Sequence, residues 1–189
     1  MTYPATFAME TPHKIARWRP FVQWLLAIPH LIVAYAFSIV ASICLVVAWF
    51  AIVITAKMPA GLATVLASFD RYQTRVIAYA GFLTDKYPPF DSSDASAHPV
   101  NVSFEPALEN RNRLTVLLRV IWIIPAYLFF VVLYFAAAVA HTVGFFAVVI
   151  LGRWPEGLFN FLAGVFRTGT RFFAYSYLLT DEYPPFSLD

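Results

Sequence analysis

The sequence predicts an all-α integral membrane protein made of two tandem repeats, each a short strand, a transmembrane helical hairpin and an interfacial amphipathic helix. Three observations predict it. Of the 189 residues, 60% are hydrophobic and only 13% charged, against about 45–50% and about 25% in a typical soluble domain. A chain of this size cannot hide so much apolar surface from water. The segment Leu83-Thr84-Asp85-Lys86-Tyr87-Pro88-Pro89-Phe90 returns as Leu179-Thr180-Asp181-Glu182-Tyr183-Pro184-Pro185-Phe186, and each copy is preceded by a long stretch without charge.

The repeat comes first, because a missed repeat misassigns the fold. The offset of 96 residues from Asp85 to Asp181 holds without a gap back to Arg17 and Arg113. It aligns Ile28-Pro29 with Ile124-Pro125, Pro59 with Pro155, Arg71 with Arg167 and Thr74-Arg75 with Thr170-Arg171. Chance similarity between apolar stretches gives scattered Leu and Val matches; it does not align Arg, Pro and Asp. Repeat 1 covers 1–91, a small polar linker 92–97, and repeat 2 98–189.

Each unit opens on an alternating stretch, Tyr3 to Glu10 and His98 to Glu105. Alternation predicts a strand in each copy, and the two could pair. Met1 to Glu10 lacks the basic leader of a signal peptide.

No charge occurs from Phe21 to Ala56 or from Val120 to Leu151. The first run is about 36 residues, or about 54 Å as one helix, well beyond a hydrocarbon core of about 30 Å. A hairpin is therefore expected in each run, with its turn in copy one near Ser38 or Ser42. Pro29 and Pro125 would kink the first arms, and Arg119 would snorkel to the surface.

Gly61 to Leu83 is also long enough to span, but Asp70, Arg71 and Arg75 sit in its middle, where charge is costly. Its apolar residues recur at helical spacing, so an amphipathic helix at the interface is expected; Gly157 to Leu179 repeats the plan. Lys14, Arg17, Arg19 and Lys57 flank the first apolar run, and Arg111, Arg113 and Arg153 the second. By the positive-inside rule all these ends lie in the cytoplasm, giving a multi-pass inner-membrane protein with cytoplasmic termini.

Arg71 and Arg75, like Arg167 and Arg171, are four apart and share a helix face. Like charges at that spacing repel unless anions are near, and guanidinium binds phosphate in a fork. Interfacial anchoring is the first reading, a pair with Asp85 or Asp181 the second, and an anionic-lipid site the third. The endings Asp85, Tyr87, Pro88, Pro89, Phe90 and Asp181, Tyr183, Pro184, Pro185, Phe186 should stop the amphipathic helix. They read as a rigid clamp on their own copy, or as a docking surface for a partner. His30 and His141 are not repeat equivalents, so haem between them is not expected. Cys44 is the one cysteine, which rules out an internal disulfide. A net charge of +2 argues against nucleic acid as partner. No nucleophile elbow, phosphate loop or metal signature appears.

Arg17-Trp18-Arg19-Pro20, Leu25-Leu26-Ala27-Ile28-Pro29-His30, Ala48-Trp49-Phe50-Ala51-Ile52 and the Tyr-Pro-Pro-Phe ending resemble a bacterial membrane family known only as domain of unknown function 4389. Copy two departs from it, with Leu114-Thr115-Val116 for Trp-Arg-Pro and Ala126 for His30. The resemblance implies a bacterial integral membrane protein and carries no cofactor or catalytic residue. The expected role is non-enzymatic, as an accessory or scaffold subunit among other membrane subunits and lipids. Anionic-lipid binding or transport is the alternative.

Overall fold

The uncharged run of copy one folds as two helices, α1 (Arg19–Leu26) and α2 (Ile28–Thr55), in a computed structural model that describes residues 3–12, 14–91 and 98–189. The linker expected over 92–97 lies outside the described residues. The break between α1 and α2 falls at Ala27, whose N–H still reaches Gln23 O and Trp24 O. Pro29 has no N–H to continue that ladder. Both Pro29 and Pro125 thus sit in the first turn of a long helix rather than kinking the middle of one.

The expected turn at Ser38 or Ser42 is absent, and α2 is unbroken over 28 residues. Ser38 Oγ donates to Tyr35 O and Ser42 Oγ to Ser38 O. A hydroxyl satisfied one turn back along its own helix has no need of a turn. The hairpin lies one element later. α2 ends at Ala56, in the left-handed region at φ 57°, and α3 (Ala60–Ala80) packs back along α2, with Phe69 on Phe37 and Tyr72 on His30.

Copy two follows the same plan. β2 (Val100–Phe104) leads to the short helices α4 (Arg113–Leu117) and α5 (Arg119–Trp122), then to α6 (Ile124–Leu151) and α7 (Glu156–Ser176). Gly152 ends α6 at φ 70°, the position equivalent to Ala56.

β1 (Ala5–Met9) pairs antiparallel with β2, Phe7 opposite Val102. The ribbon packs on α3 and α7, which pack on α2 and α6 respectively. The order of layers is therefore ribbon, amphipathic helices, long apolar helices. Leu66, Phe69, Val100, Phe159 and Leu179 are among the buried residues between them. α2 buries His30, Ala41, Ala48 and Ile52 on one face, and α6 buries Ala126, Ala140, Gly144 and Val148. The rest of each circumference is largely exposed, with Ile32, Ile43, Val132 and Phe135 all above 60%. At 28 residues, or about 42 Å, each is long and apolar enough to cross a membrane.

The copies interlock. β1 lies on α7 of the other repeat and β2 on α3. Ile15 N–H donates to Gly152 O, and Arg111 N–H to Ala56 O, at equivalent positions. Each repeat thus ties the start of its helical part to the end of the other's long helix.

Candidate functional site

The arginine pairs meet the ribbon and the chain end. In the ribbon Glu10 N–H donates to Pro99 O and Glu105 N–H to Pro4 O. The alternation of an antiparallel ladder then turns the carbonyls of Val100 and Val102 outward. Arg75 Nε donates to Val100 O and Arg71 Nε to Val102 O. One helical turn, about 6 Å between side-chain positions, spans the two-residue repeat of a strand, about 6.8 Å. The pair thus covers a strand edge that would otherwise be open to another chain. Arg75 is 1% exposed.

Copy two uses its pair differently. Arg167 Nη1 donates to Leu188 O. Arg171 sits beside Tyr3, whose hydroxyl donates to Arg171 O, and its Nε and Nη1 have no hydrogen-bond partner. Burial, and then the charge of Arg167, hold the Arg171 pKa below its ordinary value. Asp70, buried in α3, has its carboxyl pushed well up by burial.

The two endings share local chemistry. Thr84 and Thr180 hydroxyls accept from the N–H two residues on, in Lys86 and Glu182. Both amphipathic helices stop before the motif, at Phe82 (φ 47°) and Leu178 (φ 61°). The left-handed residue lets Leu83 N–H reach Ala78 O and Leu179 N–H reach Ala174 O, closing the helix in the manner of a C-cap. Pro88 and Pro184 are buried; Pro89 is half-buried and Pro185 exposed.

The aromatics of each ending turn back on their own copy. Phe90 stacks on His30 at 4.1 Å, and Tyr87 meets the same ring edge-on. In copy two Tyr183 Oη accepts from Ala126 N–H, 3.0 Å, a donor of the first turn of α6 that lacks a helical partner. Phe186 packs edge-on against Phe129 of α6. His141 lies apart from His30, against Phe82 and Trp154.

Asp85 and Asp181 diverge. Asp85 uses its backbone, the carbonyl accepting from Arg19 Nη1. Asp181 uses its carboxylate. Arg111 grips it in a fork, Nε to Oδ2 at 2.9 Å and Nη2 to Oδ1 at 2.8 Å, and Arg119 Nη2 reaches Oδ1. Asn112 N–H also donates to Oδ2. Burial raises the Asp181 carboxyl, but these bonds and charges outweigh it and hold the group below its ordinary value. Arg119, expected to snorkel, is instead 4% exposed and stacked on Tyr175 at 3.9 Å. Asp181 and the π face draw it inward more strongly than the surface draws it out. Sequence reading missed Arg111 and Arg119 as partners of Asp181; the available signal was one lone arginine at the rim of an apolar run.

The fold is a duplicated, interlocked helical unit with two helices able to cross a membrane. The chain belongs to the family described as a domain of unknown function, DUF4389, which matches residues 17–91 and again 113–187. One match falls in each repeat and leaves out the strand that opens it. No curated protein and no solved structure matches the chain.

Proposed function

We propose that this chain is a non-enzymatic membrane protein of the bacterial inner membrane, serving as an accessory or scaffold subunit of a larger complex. The observation that carries it is the separation of surfaces. The outer faces of α2 and α6 form an uncharged apolar layer, far wider than the few hundred Å² a soluble monomer exposes. The opposite layer, the ribbon, exposes Thr6, Glu10, Ser103 and Glu105. In this reading the apolar layer sits in lipid and against partner helices, and the ribbon faces the cytoplasm. Basic flanks at both ends of each long helix support placing those ends on one face. That arrangement replaces a four-helix multi-pass topology.

The arginine pairs give less support to a lipid role, since Arg71 and Arg75 bond the ribbon and Arg167 the chain end. Native mass spectrometry of the protein extracted gently from its own membranes tests the scaffold reading. Stoichiometric partner polypeptides are expected; a chain that always emerges alone and stable would refute it.

A further inference from the structure

The Arg111–Asp181–Arg119 cluster holds two positive charges against one negative. Arg119 gives only Nη2 to Asp181; its Nε and Nη1 are buried without a hydrogen-bond partner. Beside Arg119 lies a recess of about 280 Å³, walled by Leu45, Val46 and Trp49 of α2, by Val120, and by Ser176 and Leu178 at the end of α7. A buried cation with unmet donors is costly. The recess is open to the flank of α2, where Val46 is 57% and Phe50 54% exposed.

The other half of the molecule supplies an internal control. At the position of Arg119 it has Gln23, whose Nε2 donates to Thr84 O. At the positions of Leu45, Trp49 and Leu178 it has His141, Phe145 and Phe82. Phe82 contacts both of the others and stacks on Trp154. In the half that has Gln23 in place of the cation, Phe82 thus packs on three aromatic rings.

We infer that the Arg119 recess binds the headgroup phosphate of an anionic lipid, with the acyl chains lying along the exposed face of α2. The single excess charge matches a monoanionic phosphate. The volume, just under the usual range for a whole ligand of about 300–1,000 Å³, suits a headgroup with its chains outside. This site is independent of the scaffold role and of the arginine pairs on α3 and α7.

The test uses the full chain reconstituted in vesicles of phosphatidylglycerol and phosphatidylcholine, extracted gently and weighed by native mass spectrometry. One phosphatidylglycerol per chain is expected to be retained in preference to phosphatidylcholine. Arg119→Gln, which copies repeat 1, and Val46→Trp, which fills the recess and leaves the cation, should each weaken that retention at least about tenfold. Equal retention of the two lipids, or unchanged retention in Val46→Trp, would overturn the proposal. Inorganic phosphate displacing the lipid completely would also overturn it, because the recess would then recognise a free anion. Should Arg119→Gln fail to fold, Val46→Trp decides alone.

Discussion

Two aspartates at equivalent positions do unequal work. Asp181 neutralises Arg111, whose side chain is 1% exposed, and removing one partner of a buried pair leaves an uncompensated charge. Asp181→Asn should therefore cost about 3 kcal/mol of stability, read as a lowered melting temperature in detergent. Asp85→Asn should stay within about 0.5 kcal/mol, because Asp85 contributes its carbonyl and not its carboxylate. Acidity separates them again. The Asp181 carboxyl is held below its ordinary value in the folded chain, so its contribution is complete above a pH of about 4 and lost as pH falls through the folded value. The wild type should soften in acid and Asp181→Asn should lose that part of the profile; identical acid limbs would refute the assignment.

Helix ends and close contacts between helices show what each copy tolerates. Ala56 and Gly152 occupy the same left-handed cap, which costs a residue with a side chain about 1–2 kcal/mol. Ala56→Gly should thus stabilise the protein, with thermal unfolding as the readout. Within α6, a Cβ on Gly144 would lie 1.9 Å from Cζ3 of Trp154, whose Nε1 donates to Phe82 O. Gly144→Ala should expel that ring at a cost of about 1–3 kcal/mol, with a change in tryptophan fluorescence. Gly61→Ala, where a Cβ meets nothing, should leave stability unchanged or slightly raised. Copy one has Ala48 and Met58 in place of Gly144 and Trp154.

At the scale of the whole molecule, the layering predicts a labelling pattern. In a Cys44→Ala background, thiols at Thr6 and Ser103 on the ribbon should react with an impermeant reagent from the cytoplasmic face. Thiols at Arg17, Lys57, Arg113 and Arg153 should react from that same face, while one at Val132 stays protected. Arg17 and Lys57 labelling from opposite faces would mean that α2 crosses the membrane and would overturn one-sided embedding. Arg111 N–H on Ala56 O and Ile15 N–H on Gly152 O require, in either case, that Lys57 and Arg113 share a face and that Arg17 and Arg153 share one.

The duplication, the helical character, the two strands and the apolar runs were legible in the sequence because each rests on local chemistry: matched Arg, Pro and Asp, alternation, or a stretch without charge. Proline in the first turn of a long helix was legible as a break but not as the start of the helix. The placement of the hairpin was not legible, since a serine that bonds back along its own helix looks in sequence like a serine in a turn. Nor was the use of the arginines. Arg75 capping Val100 of the other repeat, and Arg119 buried on Asp181 62 residues away, depend on contacts between segments far apart in the chain. Local chemistry along the chain specifies a duplicated, apolar, helical protein; packing specifies which charges are internal. Charge is cheap to place only beside a partner, and partners are assigned by packing within and between the two repeats.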